Sequence, residues 1–157
     1  MKNDFLNIYN NLVNLTRNKN HYLNLKNNDT FSDRLIILLF HFGFFLKIYK
    51  NELSKLEAQD LFDYFIKQIE LSIREIGYGD VSVNKKMKNF VNLFYLIVEE
   101  IEKIDLNDNK NILNLLKRYL NTNKSLDFYV EYFNKYRIFL TKNTLNNFTK
   151  DILNLNF

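Results

Sequence analysis

Side chains able to do acid–base, metal or phosphate chemistry are few in this chain and poorly spaced for it. The two histidines, His21 and His41, lie twenty residues apart, and there is no cysteine. Neither a two-histidine metal spacing nor a thiolate site can be assembled from them. Glu99, Glu100 and Glu102 form the densest carboxylate group, but no apolar pocket signal surrounds them to raise a pKa for acid catalysis. Gly77-Tyr78-Gly79 has the outline of a phosphate-cradling turn, yet a helical pattern precedes it where a dinucleotide site needs a strand. His41 has no nucleophile beside it in sequence, and Ser and Thr fall where helix caps are needed. The expectation is therefore a non-enzymatic protein without metal or cofactor. The polar residues that stand out do so by context. They are Arg34 and His41 inside an apolar run, the group Arg74, Glu75 and Asp80 around the glycine turn, and Lys85, Lys86 and Lys88 just after it.

The elements that must position these residues read as helices throughout. Proline is absent and only Gly43, Gly77 and Gly79 are glycine, too few for the turns an all-β chain requires. The spacing predicts a first helix over about 4–17, with Asn3 or Asp4 as cap, then a polar connection to Asn28. Thr30 and Asp33 form a capping-box pattern that opens the most apolar stretch, a helix over about 31–50. Its run from Leu35 to Leu46 is interrupted by His41 and Gly43 and closed by Lys47. A bilayer span needs about 20 apolar residues, so this reads as a buried central helix. Ser54 and Glu57 open the next helix, to about Ile76, with a stripe of Ala58, Phe62, Phe65, Ile69, Ser72 and Ile76. Gly77 suits the left-handed position that ends it.

A long helix over about 83–104 follows, with Val83, Met87, Phe90, Phe94, Ile97, Ile101 and Ile104 in alternating steps of four and three. Its charges oppose the helix dipole. Lysines 85, 86 and 88 sit at the positive end and the three glutamates at the negative end. This is either chance or a sign that the lysines face an anionic partner. Further helices are expected over about 109–120, about 125–140 with Ser125 as cap, and 144–153. The fold class is all-α: one helical domain over 1–157, a bundle of about six to seven helices around the central apolar one.

Hydrophobic content of 46% with 16% aromatics excludes a disordered chain. The start lacks both the apolar core of a secretory signal and the Arg-rich character of an organelle presequence, so a cytoplasmic setting is expected. Residues 1–106 balance at 14 basic and 14 acidic side chains, so the net charge of +4 resides in 107–157. That excess can draw an anionic surface or merely solvate a helix face.

Several of these residues also carry a family likeness. Asp29-Thr30 and Arg34 open the apolar helix, and His41 lies within it. An earlier helix ends in Arg17 followed by Tyr22. Ala58-Gln59 opens the next helix, with Leu61, Phe62, Asp63 and Phe65 behind it. Then comes Arg74-Glu75-Ile76-Gly77-Tyr78-Gly79-Asp80, followed by Val83, Lys85, Lys86, Met87 and Lys88. In order and spacing these resemble the ubiquinol–cytochrome c chaperone family over about residues 8–104; residues 107–157 match no motif. Two positions depart from the pattern: Asn84 stands where a proline is usual, and Leu96-Ile97 where a Gly-Arg is expected. The resemblance implies an assembly factor of the respiratory cytochrome bc complex. It would bind newly made cytochrome b, with a ribosome or a small partner protein as further partners, and work in the cytoplasm of a bacterium or peripherally at the inner membrane. DNA is not among the expected partners.

Two readings stay open for the motif residues. Arg34 and His41, seven apart, share a helix face. If buried, they form a polar tie, with Asp29, Glu75 and Asp80 as candidate partners for the arginine; if presented, they form a client patch. Arg74, Glu75 and Asp80 read as a braced turn. The alternative function is an RNA-binding helical module that stacks bases on the tyrosines and phenylalanines of the basic C-terminal third. The aromatic helix at 125–140 is also a candidate for peripheral membrane contact.

Overall fold

The computed structural model describes residues 2–26 and 30–150, with Lys2 and Asn3 by their backbone alone. Among these there are seven α-helices, one short 3-10 turn and no strands. The helices are α1 (Lys2–Thr16), α2 (Phe31–Tyr49), α3 (Lys55–Glu75), α4 (Asp80–Lys103), α5 (Asn109–Tyr119), α6 (Asp127–Lys142) and α7 (Leu145–Lys150), and the 3-10 turn, Lys19–His21, follows α1. The expected last helix is described to Lys150 only, so Ile152 lies outside the described residues. Since α1 already begins at Lys2, Asp4 sits in its first turn rather than before it.

Local chemistry sets these boundaries. Both capping boxes form. The Thr30 hydroxyl accepts from the Asp33 amide at 3.1 Å, and the Thr30 amide donates back to the Asp33 carboxylate at 3.4 Å. At α3, Ser54 accepts from Glu57 at 3.2 Å, and the returning bond from the Ser54 amide to Glu57 is 2.8 Å. Each box satisfies two amides that a helix start would otherwise leave unpaired. Gly77 ends α3 with φ of 100°, and its amide donates to the Arg74 carbonyl at 2.9 Å. A Cβ there would be strained, which is why the chain places glycine at the turn.

Helix α2 is the hub and packs against α1, α4 and α6. From Ile37 to Phe45 every residue on it is buried. Its contact with α4 is close because residue 43 has no side chain: a Cβ there would collide with Cδ1 of Ile101. On α4 the buried residues are Val83, Phe90, Phe94, Ile97 and Ile101, the expected stripe with Met87 half-covered. The α3 stripe is rotated from the expected one. Leu61, Phe65, Ile69 and Ile73 are buried, Phe62 is half-buried, and Ile76 is 53% exposed. Ile76 caps the helix beyond the reach of its neighbours, and Leu61 and Ile73 lie on the line joining Phe65 to Ile69.

The aromatic helix α6 is part of this core. Tyr129, Tyr132, Phe133 and Tyr136 are buried, and Phe128 and Phe139 are half-buried. Burial is possible because the hydroxyls have acceptors inside: Tyr136 donates to the His41 carbonyl at 3.0 Å, Tyr129 to the His21 carbonyl, and Tyr132 to the His41 ring. Tyr129, Tyr132, Phe133 and Tyr136 are thus committed to the interior of the bundle, while Phe128 and Phe139 keep part of their surface exposed.

Candidate functional site: a cleft beside the α3–α4 turn

The family-like positions do not form one cluster. Asp29 lies outside the described residues. Thr30 is used in the α2 capping box. Arg34, one turn on, is exposed, and its guanidinium lies 6.0 Å from the centre of the Tyr22 ring. The seven-residue spacing to His41 does not bring the two into one buried tie, because the first turn of α2 extends past the neighbours that cover its middle.

His41 is the buried member, with no exposed surface. Its Nδ1 is 2.8 Å from the Ile37 carbonyl, which can only accept, so Nδ1 carries the proton. Nε2 then accepts from the Tyr132 hydroxyl at 2.7 Å. Thr16 of α1 lies 3.3 Å from Nδ1 and donates its own proton to the Leu12 carbonyl. His41 therefore joins α1, α2 and α6 as a neutral ring. Burial holds its pKa well below the usual imidazole value, and the nearby His21 acts in the same direction.

His21, expected in a polar connection, is also fully buried. It meets the Tyr132 ring edge-on at 4.4 Å between centroids, and burial lowers its pKa to about 4. Tyr22 and Leu25 beside it are buried as well and anchor this connection to the core, whereas Leu23 is 64% exposed. Among the described residues, no group of three or more His, Cys, Asp or Glu side chains could hold a metal ion.

The α3–α4 turn is braced as its residue types suggest. Arg74 donates to Glu70 at 3.0 Å and to Asp80 at 2.6 Å, so one guanidinium spans the end of α3 and the start of α4. Both partners raise the arginine's pKa. Glu75 is exposed, and Gly79 is the residue before α4, in extended backbone with no side-chain cap. Lys85 and Lys88 are exposed, and Lys86 is half-buried with its ammonium 4.4 Å from the centre of the Tyr78 ring.

Between the start of α2 and the first half of α4 lies a cleft of about 200 Å³. Its apolar lining comes chiefly from Phe31, Leu35, Ile36, Phe90 and Leu93, and Lys86 stands on its wall. These side chains belong to the edges of the two core stripes, and most are half-buried. Of the expected site residues that are described, Lys86 alone lines the cleft. The apolar lining was readable in sequence as core, and its partial exposure was not.

The other end of α4 resolves the adverse charge pattern. Glu99 pairs with Lys103 at 2.6 Å, Glu100 with Arg118 at 2.6 Å, and Glu102 with Lys50. Lys47, extending from α2, donates to the terminal carbonyls of Ile101 at 2.8 Å and Glu102 at 2.9 Å, and also to that of Ile104. Of the cations that the helix end favours, Lys103 belongs to α4 itself, and Lys47, Lys50 and Arg118 are supplied by other elements.

The chain is thus a helical bundle with an apolar cleft and two buried, neutral histidines. The family model for the ubiquinol–cytochrome c chaperone matches residues 23–135, and the chain belongs to that family. Its role is that of a chaperone in assembly of the cytochrome bc complex. The matched span starts later and ends later than the motifs quoted above. Arg17 and Tyr22 fall before it, while α5 and most of α6 fall within it. Those two helices contribute buried positions such as Leu116, Phe133 and Tyr136 and no distinctive polar motif, so reading by motif stops short of them. No curated protein and no solved structure matches the chain.

Proposed function

We propose that the protein holds newly made cytochrome b during assembly of the bc complex, and that the α2–α4 cleft receives apolar side chains of this client. Family membership carries the reading. The cleft supports it physically: an open apolar surface with few polar groups suits a membrane subunit whose helices have not yet met their partners. Chaperoning of this kind needs no catalytic group, only apolar contact that can be released. No helix among the described residues is long and apolar enough to cross a membrane, so contact with a membrane client would come from such surfaces. A ribosome or a small partner protein remains part of the proposal as a further contact.

Deletion of the gene followed by complementation tests it. Loss of the protein is expected to reduce assembled bc complex at least tenfold on native gels. Leu93→Met should restore assembly, because it conserves volume and apolarity. Leu93→Asp should fail although the variant is folded by circular dichroism, because a carboxylate in the cleft opposes apolar contact. Normal assembly with Leu93→Asp would remove the cleft from the proposal. Normal assembly in the deletion strain would remove the function.

A further inference from the structure

We propose that the corner formed by the α3–α4 turn and the start of α4, as far as Lys88, seats the protein on an anionic lipid surface. Every residue from Arg74 to Ser82 is exposed, so this turn projects from the bundle. Three of these residues are large and apolar: Ile76 is 53% exposed, Tyr78 42% and Val81 85%. Neighbouring elements leave them uncovered, and none of them lines the cleft. Val81, Lys85 and Lys88 follow one another at helical spacing, opposite the buried Val83 and Phe90. Lys86 stands beside them over Tyr78.

The two ends of α4 differ in how their adverse charges are met. At the C-terminal end each glutamate has a cationic partner and Lys47 caps the carbonyls. At the N-terminal end, where the first turn holds Asp80, Lys85, Lys86 and Lys88 stand in the second and third turns and make no ion pair among the described residues. Asp80 and Glu70 are engaged by Arg74, and Glu75 is exposed on the last turn of α3. The described residues thus offer these lysines no carboxylate, and an anionic surface would supply one.

A bilayer fits this surface better than an acidic protein does. The apolar side chains sit on a projecting tip rather than in a groove, which suits shallow entry into the headgroup region. A tyrosine at that level and lysines that reach back to lipid phosphates are the side chains an interface favours. The inference stands independently of which client the cleft holds.

The chain contains no tryptophan, so Val81→Trp makes this corner a specific fluorescent reporter. With the full chain, emission is expected to shift to the blue on adding phosphatidylcholine vesicles that contain phosphatidylserine, and not with phosphatidylcholine alone. Replacing Lys85, Lys86 and Lys88 together by glutamine in the native sequence should weaken sedimentation with the anionic vesicles about a hundredfold, at about fivefold per lysine. Val81→Asp should weaken it while the thermal midpoint stays unchanged, because the residue is exposed. Equal binding to neutral vesicles, an unshifted emission, or undiminished binding of the triple variant would overturn the proposal. So would tighter binding to polyuridylate than to the vesicles, which would assign the corner to nucleic acid.

Discussion

Truncating Phe42 to alanine is expected to lower the unfolding free energy by about 3–5 kcal/mol, a large part of the total stability of a domain this size. Phe42 is 1% exposed and sits where α2 meets both α3 and α4. Its ring stacks on Phe65 at 3.9 Å between centroids and 12° between planes, and tilts onto Phe94 at 5.6 Å. Removing it takes the partner from both rings and opens a cavity that three helices would have to collapse to fill. Urea denaturation followed by far-UV circular dichroism should show a lower midpoint with an unchanged slope. Leu56→Ala is the matched control: Leu56 is 70% exposed, and its loss should change stability by no more than about 0.5 kcal/mol. A Phe42→Ala cost below about 1 kcal/mol would mean that α2 is not the hub of the bundle.

The second large effect is acid lability centred on His21 and His41. In the folded chain burial holds His21 near a pKa of about 4 and His41 well below its usual value; in the unfolded chain both return to 6.5. As pH falls below 6.5 the unfolded state therefore binds protons that the folded state refuses, and stability declines. The stability is complete above pH 6.5 and is lost progressively down to about pH 4. His21 alone accounts for about 3 kcal/mol across that window, and His41 acts in the same direction. Denaturation midpoints measured from pH 7 to pH 4 should fall steadily, and His21→Gln should flatten the slope. A wild-type stability that is level over this range would contradict the buried, neutral assignment of both rings.

How much of this was legible in the sequence depended on whether a feature is local. The capping boxes at Thr30 and Ser54, the left-handed Gly77 and the four-three stripe of α4 are fixed by residues within a few positions of one another, and all appear as expected. Features set by distant partners did not. His21 sits in a stretch rich in Asn and Lys, and only the arrival of Tyr132 from α6 makes it core. Arg34 shares a helical face with His41, but where α2 leaves the cover of its neighbours is decided by the positions of other helices. The end of α4 appeared adverse until Lys50 and Arg118 were seen to pair with its glutamates, and Lys47 to cap its carbonyls, from elsewhere in the fold.

The family-like residues of the α3–α4 turn illustrate the same division. The brace of Arg74 with Glu70 and Asp80 spans eleven residues of chain and was partly readable from residue types. The cleft next to it draws on α2 and α4, which are far apart in sequence and contribute residues with no distinctive chemistry. Apolar positions at the edge of a stripe have the same pattern whether a neighbour covers them or leaves them open to a client.

Site-specific crosslinking from the cleft tests the central claim most directly. A photoreactive phenylalanine analogue at position 93, in cells making the bc complex, is expected to capture cytochrome b. The same group at the exposed Thr141 on α6 should capture it weakly or not at all. Absence of cytochrome b from the position-93 products, or equal yields from the two positions, would contradict the assignment of the α2–α4 cleft as the place where this chaperone holds its client.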